Sequence, residues 1–186
     1  MPEFDDMCAT LRKSAAALRD AGVPFMLGGG LAAWVRGGPE SDHDLDYMVR
    51  PDDAERALEA LVAAGLRPER PPEGWLLKAW DGEVLVDLIF RPASGEIGDE
   101  EFERAELLEV LSLEMQVMSL EDVLVTKLCS INETHLDFQP VVQLARAVRE
   151  QVDWDAVRER TEGSPFACTF FTLVEELEIV PARSIG

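Results

Sequence analysis

Two short stretches carry the residues best suited to chemistry: Met26-Leu27-Gly28-Gly29-Gly30-Leu31-Ala32-Ala33-Trp34 and Ser41-Asp42-His43-Asp44-Leu45-Asp46. The first reads as an apolar strand, a glycine turn and a short helix. Glycines at such a turn let the backbone close on a phosphate, and a helix N-terminus offers it free N–H groups. The second stretch ends in carboxylates at i and i+2 of a predicted strand. Asp44 and Asp46 therefore project from one face, as ligands of a shared divalent metal must. A third acid, Asp87, interrupts the apolar run Val84-Leu85-Val86-Asp87-Leu88-Ile89-Phe90. An ionised carboxylate there is costly unless a cation or hydrogen bonds compensate it. Taken singly, each aspartate is better read as a solvated strand end or, for Asp87, as the partner of an arginine. Taken together beside a glycine turn, and on neighbouring strands, they favour a divalent metal. Two Mg2+ ions held this way can activate an attacking hydroxyl and neutralise a transferring phosphoryl group.

The elements that must position these residues follow from periodicity and punctuation. Met7, Leu11, Ala15 and Leu18 have helical spacing over about 4–21, and Gly22 follows as a stop. A buried strand is expected over 23–27, a short helix over 31–35 and a second strand over 45–49. Pro51-Asp52-Asp53 opens a helix, whose inner stripe is Ala54, Ala57, Leu58, Leu61 and Val62. A short strand and loop should cover 67–72. Asp81-Gly82 lies between two strand-like runs, 75–80 and 84–90, and signals a hairpin. A loop over 93–100 and a further strand within 107–118 come next. Ser119 introduces a helix over 120–131, and more helices are expected at 141–148, 153–160 and 165–177. The fold class is thus α/β (α+β): a mixed sheet with flanking helices over 1–118, then a helical region over 119–186.

This arrangement resembles the DNA polymerase beta-like nucleotidyltransferase superfamily. Its signature is an apolar strand, a Gly-Gly or Gly-Ser pair, a spacer, Asp-x-Asp, and a third acid on a later strand. Gly29-Gly30, Asp44-Leu45-Asp46 and Asp87 match it in order, over roughly residues 23–92. Ser41 stands near a family Ser or Thr that contacts phosphate. The small single-chain members, which include aminoglycoside and lincosamide nucleotidyltransferases and toxin–antitoxin nucleotidyltransferases, are the most similar in outline. The resemblance implies transfer of a nucleoside monophosphate from an NTP to an acceptor hydroxyl, with Mg2+ at Asp44, Asp46 and Asp87. Gly29, Gly30, Ser41 and Lys127 would then contact the nucleotide. A small-molecule acceptor is favoured. A toxin acting on tRNA or protein, and a nucleotide-binding regulator without catalysis, are the other readings.

Lysine occurs only at positions 13, 78 and 127. Lys127 falls in the apolar series Leu120, Leu124, Leu128, Ile131 of its helix, so it must find a partner or reach into a cleft. A phosphate contact and a pairing with Glu121 or Glu133 are both open. Lys78 could reach a phosphate from the hairpin or lay its stem on the tryptophans. His43 could orient Asp44 or end a loop. Asp42 could cap a turn. Asp137 is read first as a helix cap, and second as the further acid that related enzymes use near their acceptor. Trp75 and Trp80 are read as packing before stacking on a base.

Composition bounds the rest. A chain of 186 residues with a hydrophobic fraction of 47% suits one domain with a substantial core. A net charge of −20 argues against non-specific nucleic-acid binding unless a basic groove, drawn from Arg36, Arg50, Arg91 and Lys78, survives locally. No apolar run reaches the roughly 18 residues of a membrane span. Cys8, Cys129 and Cys168 are too scattered for a zinc site and read as buried reduced thiols. With an acidic N-terminus that lacks a secretion signal, a cytoplasmic protein is expected. Nothing in the pattern fixes the oligomeric state.

Overall fold

The computed structural model describes residues 4–39 and 44–182. These form seven strands: β1 (Met26–Leu27), β2 (Leu45–Met48), β3 (Arg67–Glu69), β4 (Leu76–Asp81), β5 (Val84–Ile89), β6 (Glu106–Val110) and β7 (Leu113–Val117). They also form eight α-helices: α1 (Phe4–Asp20), α2 (Gly29–Val35), α3 (Ala54–Ala63), α4 (Asp99–Arg104), α5 (Leu120–Ser130), α6 (Gln139–Val148), α7 (Trp154–Thr161) and α8 (Pro165–Glu176). All strands join one mixed sheet in the order β3-β4-β5-β2-β1-β7-β6. β2 runs parallel to β5 and β1 parallel to β7, while the other neighbours are antiparallel. The expected α/β class with a mixed sheet and a helical C-terminal part is what the chain adopts.

Alternation along β2 decides which side of the sheet does what. Leu45 and Tyr47 face α1 and α3. The Tyr47 hydroxyl lies 2.8 Å from Ser14 Oγ of α1, and Phe25 meets the Tyr47 ring edge-on at 5.1 Å. Behind them Met7, Leu11, Ala15 and Leu18 of α1 and Ala54, Ala57, Leu58 and Leu61 of α3 are buried. Each such large side chain contributes about 1.5–3 kcal/mol of burial. Asp46 and Met48 face the other way, toward α2 and α5. One hydrophobic core runs from Met7 to Val180 and includes both sides.

Several elements differ from their sequence-based bounds. The strand expected over 23–27 joins the ladder only at Met26–Leu27. Val23 instead donates its N–H to Leu18 in the α1 terminus, and Pro24 has no N–H to give. The expected loop over 93–100 already enters α4 at Asp99; Gly98 N–H donates to Glu101 at 2.8 Å, an N-terminal lock built without an apolar stripe. The single strand expected within 107–118 is a β6–β7 hairpin. Its turn, Leu111-Ser112, has φ of 49° and 67°, the left-handed pair usually supplied by Asn-Gly. Cys168 is exposed rather than buried, while Cys8 is buried and Cys129 half-buried; none of the three is in a disulfide.

Asp122, an acid in the first turn of α5, is buried to 1% exposure. Arg104 of α4 donates to both its oxygens at 3.0 Å, Arg160 of α7 also donates to it, and Ser119 Oγ adds a bond of 2.8 Å. Burial alone would raise its pKa. The bonds from Arg104, Ser119 and Arg160 outweigh burial and hold it below the usual carboxylate range.

Candidate active site

The parallel register of β2 and β5 sets Asp46 directly beside Asp87, and the antiparallel register of β4 and β5 sets Lys78 beside Asp87. Glu69 of β3 completes the row opposite Lys78. Partners across a ladder share a face, so acid, base, acid, acid lie in line across four strands. Asp44 precedes β2 at the same alternation and bears electrostatically on both Asp46 and Asp87.

The glycine turn is built around Asp46. Gly28 donates its N–H to the Asp46 carbonyl at 2.8 Å, which carries β1 past β2 before α2 begins. Gly29 has φ +58°, and a Cβ built on it would lie 1.7 Å from Asp46 Oδ2. The Gly30 N–H hydrogen-bonds the Asp46 carboxylate. Gly29 and Gly30 therefore seat the aspartate, a role their sequence pattern did not reveal.

Burial is the first cause that pushes the Asp46 pKa up, to about 7, and repulsion from Asp87 is the second. Asp44 adds to this, while Lys127 and the Gly30 N–H oppose it. Asp87 is also raised: burial is the first cause and exceeds the opposing attraction of Lys78, with smaller upward contributions from Asp44 and Glu69. Lys78 Nζ lies 3.2 Å from Asp87 Oδ1, yet that oxygen is buried and accepts no well-aligned hydrogen bond. The contact is ionic, and the partner of Asp87 is a lysine where an arginine was the simple expectation.

Gly29, Asp46, Met48, Ile89, Met118 and Lys127 are among the residues lining a cavity of about 470 Å³ between this sheet face and α5. Lys127 turns into it from α5, and among the described residues it is in no ion pair with Glu121, Glu133 or any other acid. Trp75 and Arg91 stand at the same cavity, with Trp75 38% exposed. Trp80 does not line it; its indole N–H donates to Glu69 at 2.7 Å.

Other candidates resolve as follows. Ser41, Asp42 and His43 lie outside the described residues. Asp137 accepts the Gln139 N–H at 3.0 Å in the turn before α6, whose cap position is Phe138 rather than the expected Asp137. The cations that could have formed a basic groove are dispersed. Arg36 binds Glu106 and the carbonyls of Val117 and Met118, Arg50 binds Asp99, and Arg91 binds Glu96. Among the described residues no helix is long and apolar enough to cross a membrane.

The oxygen donors fit a hard divalent cation. Asp46 is buried, Asp87 stands beside it in register and Asp44 precedes it at the same alternation, so its charge is disfavoured unless a cation offsets it. Among the described residues, no three acidic, histidine or cysteine side chains already converge as a complete cage.

The fold is shared with several solved structures. The chain is similar to the solution structure of the antibiotic-resistance factor ANT(2'')-Ia, with a TM-score of 0.63 at 14% identity over 92% of this chain and 96% of that one. It is also similar to the lincomycin-bound lincosamide antibiotic adenylyltransferase LnuA (TM-score 0.51, 14% identity, 76% of this chain and 98% of that one). A third similar structure is JHP933 from Helicobacter pylori (TM-score 0.52, 14% identity, 91% of this chain and 76% of that one). No protein-family model and no curated protein sequence matches the chain.

Proposed function

We propose that the protein is a nucleotidyltransferase that moves a nucleoside monophosphate from an NTP to the hydroxyl of a small molecule. The observation that carries this reading is that Asp46, the register partner of Asp87, lines a cavity of about 470 Å³ together with Lys127. That volume is in the range of small-ligand sites. The fold shared with ANT(2'')-Ia, solved elsewhere with adenylyl-2''-tobramycin, supports the reaction class. The dispersal of Arg36, Arg50 and Lys78 into local ion pairs favours a small acceptor over RNA.

Asp44 and Asp46 would hold Mg2+, with Asp87 beside them. The metal supplies Lewis-acid stabilisation of charge on the phosphates. Gly29 and Gly30 would present backbone to the triphosphate, and Lys127 would contribute a positive charge to it. Ser41 is proposed as a further phosphate contact. The acceptor oxygen attacks the α-phosphorus and a new P–O bond forms. The bond from the α-phosphorus to the pyrophosphate oxygen breaks, and pyrophosphate leaves. Asp87 takes the hydroxyl proton, a role suited to a carboxylate whose pKa burial has raised. The apolar wall of Met48, Ile89 and Met118 excludes water from the line of attack.

The test is incubation with each α-phosphate-labelled NTP and Mg2+ in a cell extract that contains both small molecules and tRNA. Label should move to a small molecule with release of pyrophosphate, and alanine at Asp44 or Asp46 should abolish transfer in a folded protein. Label on tRNA would favour a toxin, and full activity in either alanine variant would overturn the mechanism.

A further inference from the structure

The row Glu69–Lys78–Asp87–Asp46 contains a cation that the reaction as proposed does not use. We propose that Lys78 is a built-in counter-cation of Asp87, which limits the protein to one divalent ion, at Asp44 and Asp46, and keeps Asp87 out of the metal's coordination shell. This rests on the metal-dependent reading above and alters the number of ions that Asp-x-Asp sites with a third acid are expected to hold.

Three observations converge on it. Lys78 is the register partner of Asp87, with Nζ 3.2 Å from Oδ1 and only 23% and 14% of the two side chains exposed. A partly desolvated ammonium at that distance repels a further cation from the same carboxylate. Its other neighbour in the row, Glu69, accepts the Trp80 indole N–H at 2.7 Å, and Asp87 is the one ion-pair partner of Lys78 among the described residues. The Asp87 Oδ1 that faces Lys78 is itself buried and accepts no aligned hydrogen bond, so the ammonium is its charge partner.

Charge leads to the same conclusion. The Lys78 ammonium already sets one positive charge against Asp87. A divalent ion placed on the same carboxylate would have to displace that ammonium or bear its repulsion. A carboxylate paired to an ammonium also stays a stronger base than one shared with a metal, so the device preserves Asp87 for the acceptor proton. Lys78 is thus a positioning residue that works through Asp87.

The test counts ions directly. Mn2+ alone is titrated into the full chain, and free Mn2+ is read by electron paramagnetic resonance. Wild type should bind one ion per chain, Lys78→Met two, and Lys78→Arg one. Two ions in wild type, or one in Lys78→Met, overturns the inference and leaves the proposed reaction standing. If Lys78→Met does not fold, the wild-type count decides alone. Binding that Asp46→Asn leaves unchanged, or no binding at all, overturns the metal-dependent reading as well.

Discussion

Asp46→Asn is expected to stabilise the metal-free protein while abolishing transfer. The Asp46 carboxyl is raised from 3.8 to about 7, by burial first and repulsion from Asp87 second. That difference corresponds to about 4 kcal/mol of disfavoured charge at neutral pH. Lys127 and Gly30 are already counted in that value, but asparagine buries an amide N–H2 in place of the neutral carboxyl, so a net gain of about 2–3 kcal/mol is expected. In a chain of this length that raises the melting temperature by about 5–10 °C. The pH dependence has a definite sign. The folded carboxyl binds its proton more tightly than the unfolded one, so wild type is relatively most stable below the unfolded value of 3.8. It loses that stability as pH rises toward about 7, then levels off. The variant lacks this titration. Urea unfolding in EDTA should show the two proteins close near about pH 4, with the variant clearly more stable near about pH 8. Mg2+ should narrow the gap by stabilising only wild type. Equal or lower stability of the variant at alkaline pH, or a gap independent of pH, would refute the reasoning.

Other perturbations separate structural from chemical roles. Gly29→Ala should cost at least about 2 kcal/mol and most of the activity, because its Cβ would collide with Asp46 Oδ2 at a positive φ. Gly163→Ala, which meets nothing within 4 Å, should change urea stability by less than about 1 kcal/mol. Asp122→Ala should destabilise by about 3 kcal/mol, the low end for a broken buried pair because Arg104 and Arg160 keep 36% and 32% exposure. Since the Asp122 pKa is lowered, its contribution is present above the ordinary carboxylate range and lost as pH falls through the folded value, so acid unfolding of wild type but not of the variant should report it. Lys127→Met should leave the melting curve nearly unchanged and lower kcat/KM for the NTP by about 10–100-fold, the equivalent of one charge-assisted hydrogen bond.

The site was legible because its elements are local and punctuated. Asp-x-Asp on a strand fixes one face, and the apolar run around Asp87 announces a costly charge. The order of residues also placed Lys127 on an inward helical stripe. What escaped depends on register and long-range packing. Nothing in Trp75–Trp80 says that Lys78 will stand opposite Asp87, because pairing fixes that contact and a one-residue slip would remove it. Gly29 was legible as a turn, yet its service to Asp46 appears only when α2 starts beside β2. Leu111-Ser112 hid a hairpin because neither residue is one that left-handed turns favour. Asp122 looked like any first-turn acid; its partners Arg104 and Arg160 are 18 and 38 positions away.

The most direct measurement of the central claim is a crystal structure with a nonhydrolysable NTP and Mn2+, its metal located by anomalous scattering. The account predicts metal on the carboxylates of Asp44 and Asp46, the triphosphate against Gly29, Gly30 and Lys127, and the α-phosphorus beside Asp87. Nucleotide bound away from this cavity, or metal absent from Asp46 with nucleotide present, would contradict it.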